Sequence, residues 1–268
     1  MYINVIIFFI IGVLLGGYIF NTIGYRLSIN ESLLDKPKCD TCNHSLSFIE
    51  TIPIFSFIKQ KGKCNYCQQK ISFIYIAFEL LTGILFSLTY ITFMDFNNSN
   101  IQILLGIVFI SCLLIIMFGD IKYMLIPNKL LIVSSILVVI IIKIYLSYLN
   151  EEVSSLLDIG YEILFMAVDA LIMFVIMFVI KKIGDLIFKK ESLGGGDIKM
   201  MAFISLLMGY KLSIIIIFIA SFIALPFSIY NAYKKNEVML PFGPYLAIAT
   251  IILFLCNINL DSIMELFH

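Results

Sequence analysis

Two carboxylates in matching surroundings are the residues of this chain best placed for chemistry. Asp197 follows Leu193-Gly194-Gly195-Gly196 and opens an apolar stretch. Asp120 stands in Phe118-Gly119-Asp120-Ile121-Lys122, where one apolar run ends and Ile126-Pro127-Asn128 opens the next. Gly194, Gly195 and Gly196 remove every Cβ ahead of the carboxylate, so a second backbone can approach closely and φ > 0 is open to the chain. Asp-Ile-Lys thus occurs twice, each time where an apolar run meets a loop. Neighbouring carboxylates cannot both ionise cheaply, so such a pair would share one proton and activate a water. Each aspartate also has a plainer reading: Asp197 as the N-cap after a flexible glycine loop, and Asp120 as a helix-end carboxylate paired with Lys122 or Lys129.

Four of the six cysteines form two pairs, Cys39-Asp40-Thr41-Cys42 and Cys64-Asn65-Tyr66-Cys67, with 21 residues between them. This is close to the spacing of two-pair zinc sites, and four thiolates suit a closed, tetrahedral, structural Zn²⁺. Iron or disulfides are alternatives, although a reducing cytoplasm disfavours disulfides. The segment around the pairs has too few apolar residues for a large core, so a bound metal would supply its folding energy. His44 reads as a surface residue beside a complete ligand set.

The elements that position these groups are membrane helices. The chain is 61% hydrophobic and 13% charged, with a mean hydropathy of +1.05, far too apolar for a water-soluble domain of this length. The lipid bilayer is its environment, and a net charge of zero argues against nucleic acid as a partner. The start has no basic segment and no small-residue cleavage site, which reads as a retained first helix. Eight apolar runs predict helices over about 3–23, 71–94, 101–118, 128–149, 159–180, 197–208, 212–230 and 242–256. The sixth is short for a hydrocarbon core of about 30 Å, which implies little tilt or a start below the surface. Sixteen of the eighteen basic residues fall on one side of this arrangement, all but Lys143 and Lys211. By the positive-inside rule that side is the cytoplasm, both termini are outside, and Asp120 and Asp197 share the cytoplasmic face. Glu162 and Asp169 read as interior polar contacts of the fifth helix, and Cys112 and Cys256 as membrane-buried. The predicted fold is an all-α polytopic membrane protein of about eight transmembrane helices, with a small cytoplasmic zinc-binding module after the first. Its parts are a first transmembrane helix (1–24), a cytoplasmic four-cysteine module (25–70) and a transmembrane domain carrying both aspartates (71–268).

In order along the chain stand Gly16-Gly17-Tyr18-Ile19-Phe20-Asn21 with Tyr25-Arg26-Leu27, the cysteine pairs, Ile52-Pro53, Gly62-Lys63-Cys64, Glu79, Asp120 with Ile126-Pro127-Asn128, the glycine run with Asp197, and Pro241-Phe242-Gly243-Pro244. This ordered set resembles the type IV prepilin peptidase family, bifunctional leader peptidases and N-methyltransferases of the Gly-x-Gly-Asp type. The resemblance implies that Asp120 and Asp197 are the catalytic pair and that Gly194, Gly195 and Gly196 form the substrate loop. It implies substrates that are prepilins or pseudopilins with a basic leader and an apolar N-terminal helix, cut after a glycine at the cytoplasmic face of a bacterial plasma membrane. It further implies methylation of the new N-terminus from S-adenosyl-L-methionine, a role tied to Gly62 and Lys63, with Cys39, Cys42, Cys64 and Cys67 as the metal ligands. The chain departs from the family pattern at Asp40-Thr41, which replaces a proline-containing spacer, at Gly17-Tyr18 in place of Gly-Ser-Phe, and at Asn128, where Asp is common.

Two other classes compete. An ion-coupled transporter would carry midplane acids on broken helices in paired halves, whereas the aspartates here lie at one face. A non-catalytic zinc-bearing assembly scaffold would leave the aspartates without a role.

Overall fold

Inside a bilayer the backbone must satisfy its own hydrogen bonds, so long apolar runs fold as helices, and the computed structural model is helical wherever the chain is long and apolar. It describes residues 2–20, 23, 26, 38–39, 41–94, 99–149, 156–189, 191–234 and 241–257. The expectations for Lys36, the acidic stretch 95–98, Glu151, Glu152, Lys190 and Lys235 fall outside these residues. Two compact units divide the chain, Met1–Asp95 and Phe96–His268.

The first unit opens with α1 (Tyr2–Leu14), which widens into a π-helical segment over Leu15–Phe20. Short helices α2 (Phe48–Thr51) and α3 (Phe55–Lys59) precede the long α4 (Ile74–Phe93). Helix α1 packs along α4, and small residues let the two backbones close up. A Cβ on Gly12 would lie 2.7 Å from the Thr82 carbonyl oxygen, and one on Gly16 would lie 2.5 Å from Thr82 Oγ1. Ser87 Oγ donates to the Val5 carbonyl at 3.1 Å and Asn4 Nδ2 to the Tyr90 hydroxyl at 2.9 Å, so polar groups join the same pair. Among the described residues there is no strand, only isolated antiparallel bridges at Lys38–Ser45 and Lys63–Lys70.

The second unit contains α5 (Ser99–Tyr123), α6 (Asn128–Leu149), α7 (Leu156–Phe188), α8 (Gly195–Lys234) and α9 (Gly243–Leu255). Helix α5 packs on α6 and α9, and α8 packs on α7 and α9. Phe109 of α5 meets Phe203 of α8 and Phe254 of α9 at centroid distances of 5.5 and 5.3 Å, so three helices share one aromatic core. Four described spans, Ile74–Phe93, Asn100–Tyr123, Gly160–Ile187 and Gly195–Asn231, are long and apolar enough to cross a bilayer, and three shorter apolar helices accompany them. The protein is therefore a multi-pass membrane protein.

Several boundaries differ from the sequence expectation. Helix α5 continues past Phe118 to Tyr123, which puts Asp120 on its last turn instead of in a loop. Helix α7 continues to Phe188, so Lys181 and Lys182 are helical. Lys182 Nζ lies over the Phe178 ring and Lys181 pairs with Glu191 at 3.6 Å, which keeps both charges at the polar end. The sixth and seventh predicted helices are the two halves of α8, broken at Gly209 (φ 75°, ψ 158°), a conformation that glycine adopts at little cost. Glu162, expected inside, is exposed near the start of α7, while Asp169 is half-buried. Cys112 is buried, whereas Cys256 is exposed where α9 ends.

Candidate functional site

Asp120 and Asp197 come together in the second unit from the ends of two helices. Asp120 lies on the last turn of α5, which Met124 closes with a φ of 52° and an N–H donated to the Asp120 carbonyl at 2.9 Å. Asp197 is on the first turn of α8, and Gly194, just before the helix, donates its backbone N–H to the Asp197 carboxylate. That bond satisfies a donor which the helix start would otherwise leave orphaned. The two side chains are only 6% and 7% exposed, and they are close enough for their charges to interact. Lys122 lies over the rings of Phe118 and Tyr123.

A third element holds the first carboxylate. Gly243, at the start of α9, donates its N–H to Asp120 Oδ2 at 3.0 Å, and a Cβ there would lie 2.6 Å from that oxygen. Ile126 fills the space between the helix ends. A Cβ on Gly196 would lie 2.9 Å from Ile126 Cβ, and one on Gly243 would lie 3.5 Å from Ile126 Cδ1. Lys199 Nζ donates to Asn128 Oδ1 at 2.9 Å and ties the start of α8 to the start of α6. The three glycines of the run therefore do different things. Gly194 supplies the N–H to Asp197, Gly196 admits Ile126, and Gly195 faces open space. None of the three has a positive φ, so close approach, and not a left-handed backbone, explains them.

The first unit holds the cysteines. The Sγ atoms of Cys39, Cys42, Cys64 and Cys67 all lie within 4.8 Å of one another, with Cys39 and Cys67 4.0 Å apart. Tetrahedral zinc thiolates at about 2.3 Å would space the sulfurs by about 3.8 Å, so a small contraction would close the shell. All four are free thiols. Both pairs sit in the same kind of knuckle. Cys39 N–H donates to His44 O and Asn43 N–H to Cys39 O; Cys64 N–H donates to Gln69 O and Gln68 N–H to Cys64 O. Asn43 and Gln68 turn each knuckle with φ of 54° and 57°. Backbone N–H groups of Cys67 and Tyr66 draw the Cys64 thiol down to about 7. Cys67 rises to about 11 because burial and the neighbouring sulfurs outweigh the Gln69 N–H that stabilises its anion. Four sulfurs this close cannot all ionise unaided, and a divalent cation among them removes the conflict. The donor set therefore fits Zn²⁺. Glu50 fastens the module from outside: the Ser47 N–H and the Asn65 side chain both donate to its carboxylate and hold its pKa low. His44 is exposed, as expected, and its ring lies tilted against that of Tyr66.

The sequence comparisons follow the same division. Residues 10–93 match the bacterial peptidase A24 N-terminal domain, and residues 107–229 match the type IV leader peptidase family. A prepilin leader peptidase/N-methyltransferase of Bacillus subtilis (strain 168) is 32% identical over 97% of this chain and 96% of its own length. The chain belongs to the type IV prepilin peptidase family. Proteins of the same description from Vibrio cholerae (29% identical over 94% of this chain and 97% of the relative) and Dichelobacter nodosus (26% over 88% and 76%) are also similar to this prepilin peptidase family member. No solved structure matches it significantly.

Gly62 and Lys63 lie in the cysteine unit. Gly62 turns with a φ of 70°, the Phe57 ring lies where its Cβ would be, and Lys63 is exposed beside Cys64. A groove of about 180 Å³ on this module is lined by Ser47, Glu50, Lys59 and Tyr66 among others. That is below the 300 Å³ or so at which pockets enclose ligands of ordinary size, so it does not fit a whole S-adenosylmethionine. Gly243 and Ile126 are the site residues to which the sequence reading gave no role. Their signals were the Pro-Phe-Gly-Pro and Ile-Pro-Asn runs.

Proposed function

We propose that this protein is a membrane aspartyl endopeptidase that removes the leader of prepilins or pseudopilins after a glycine at the cytoplasmic face of the bacterial plasma membrane, and then methylates the new N-terminus. The observation that carries the protease half is the pairing of two buried carboxylates from distant helix ends, with the open edge at Gly195 beside them. Asp197 lies at a helix N-terminus, which favours the anion, and Asp120 at a helix C-terminus, which favours the protonated acid. The Gly243 N–H occupies Asp120 Oδ2, which leaves Oδ1 to hold the proton. Asp197 takes a proton from water as its oxygen attacks the scissile carbonyl carbon, and Asp120 gives its proton to the carbonyl oxygen. Collapse of the tetrahedral adduct breaks the C–N bond. The proton held on Asp197 goes to the leaving amine, and the adduct hydroxyl returns its proton to Asp120.

The methylation half rests on family membership, with Gly62 and Lys63 as its associated residues and S-adenosylmethionine as the methyl donor. Cys39, Cys42, Cys64 and Cys67 would hold one Zn²⁺ in a closed shell, with no open position for chemistry, so its contribution is to fold the module.

Asp120→Asn and Asp197→Asn keep side-chain size and remove a titratable group. Each is expected to lower prepilin cleavage by about a thousandfold or more, and the double variant should be no worse than either single one. Asp169→Asn should keep most activity. Substantial cleavage by either single variant, at normal membrane levels, rules the mechanism out.

A further inference from the structure

One buried acid of the first unit has no part in this chemistry. Glu79, on α4, is 8% exposed. Among the described residues its hydrogen-bond donor is the backbone N–H of Ile54, at 2.8 Å from Oε2. Ile54 is held at φ 59°, ψ −51°, and Phe55 N–H reaches back to Pro53 O at 2.5 Å. Together these make a γ-turn of the left-handed kind, which is rare and strained, and doubly so at a β-branched residue. Strain of this sort persists only where the surroundings over-determine it.

The surroundings are in view. A Cβ on Gly17 would lie 2.5 Å from Pro53 Cγ and 2.8 Å from Glu79 Oε1, so glycine lets the turn and the carboxylate close against the π-helical segment. From the turn the chain enters α3, and the Phe57 ring packs on Gly62. Gly62 N–H donates to Phe57 O at 2.9 Å, and Gly62 O accepts the Ile71 N–H at 2.8 Å. Lys63 and Cys64 come next. One continuous set of contacts thus runs from the membrane carboxylate to the loop associated with methylation.

We infer that Glu79 is a positioning residue: by accepting the Ile54 N–H it locks the Pro53–Phe55 turn and, through α3 and Phe57, sets the conformation of Gly62-Lys63. This rests on the reading that Gly62-Lys63 serves methyl transfer. The role is that of a hydrogen-bond acceptor, not of a charge.

The test uses the full-length protein in membranes, with a prepilin and S-adenosylmethionine, and reads cleavage, methylation and amide hydrogen exchange over residues 54–63. Glu79→Ala should lower methylation by about tenfold, the size expected when a buried backbone donor loses its acceptor. It should leave cleavage within about twofold and speed exchange across 54–63. Glu79→Gln still presents an oxygen to Ile54 and should restore both exchange and methylation. Gly17→Ala should reproduce the Glu79→Ala result, and the double variant should add little to either. A Gln variant as impaired as the Ala variant, equal losses of cleavage and methylation, or unchanged exchange in Glu79→Ala would overturn the inference. Should the unaltered protein transfer no methyl group, the methylation reading falls, while the exchange measurements still decide the role of Glu79.

Discussion

A methyl group added at Gly195 would enter open space, one at Gly196 would press on Ile126, and one at Gly243 would press on the Asp120 carboxylate. Gly243→Ala is therefore expected to push Asp120 off its N–H donor and lower cleavage at least tenfold or so without altering any charge, since overpacking of this kind costs about 1–3 kcal/mol. Gly195→Ala should leave the membrane level unchanged and raise KM for the prepilin with little effect on kcat. Steady-state cleavage of both variants checks this, and an unchanged KM would remove Gly195 from the substrate path. The sequence singled out the two aspartates as candidates because a charged residue beside an apolar run is conspicuous, and the structure buries both. The separate uses of the glycines were not. A residue without a Cβ announces freedom, and which neighbour exploits that freedom is decided by tertiary packing, as Ile126 does at Gly196.

The cysteine spacing foretold a cluster, but not that each pair sits in the same knuckle, turned by Asn43 in one and Gln68 in the other. Nothing in a glutamine signals a left-handed φ. Changing Cys39 and Cys64 to Ser is expected to release one Zn²⁺ per chain and to expose the module to protease, since structural zinc contributes about 10–16 kcal/mol of apparent binding energy to small modules. Metal analysis of protein purified without chelator would count against this if it found no zinc. Helix ends were misplaced for a different reason. The apolar run stops at Phe118 because Asp120 is charged, yet α5 stops at Tyr123, where Met124 turns the backbone. Hydropathy reports what lipid tolerates, and backbone geometry reports where the helix ends. The four-residue spacing of Gly12 and Gly16 was in plain view, and its meaning came only with Thr82 and Gly83 opposite.

For the whole molecule, the asymmetry of Lys and Arg predicts a topology with both termini outside and both aspartates at the cytoplasmic face. Reporter fusions after Asn98 and after Leu193 should give opposite answers, outside for the first and cytoplasmic for the second. The same side for both would mean that the parity of eight spans is wrong. The all-helical class followed from composition, because a chain this apolar has few other ways to satisfy its backbone in lipid. The division at Asp95 and Phe96 did not, since no Gly- or Pro-rich linker marks it.

Helix α8 is two helical halves, Gly195–Met208 and Tyr210–Lys234, meeting at the non-helical Gly209, about 21 Å and about 37 Å long at 1.5 Å per residue. The break at Gly209 is a joint between them. When acyl chains lengthen or shorten, the second half can change its tilt while Gly195–Met208 keeps its seat beside Asp120. Cleavage by the unaltered protein, reconstituted in lipids of different chain length, should vary by less than about twofold, because tilt absorbs mismatch at modest cost. In Gly209→Ala, where φ of 75° is disfavoured, the rate should track thickness instead. One glycine between two helical halves would then be what lets the enzyme work in membranes of more than one thickness.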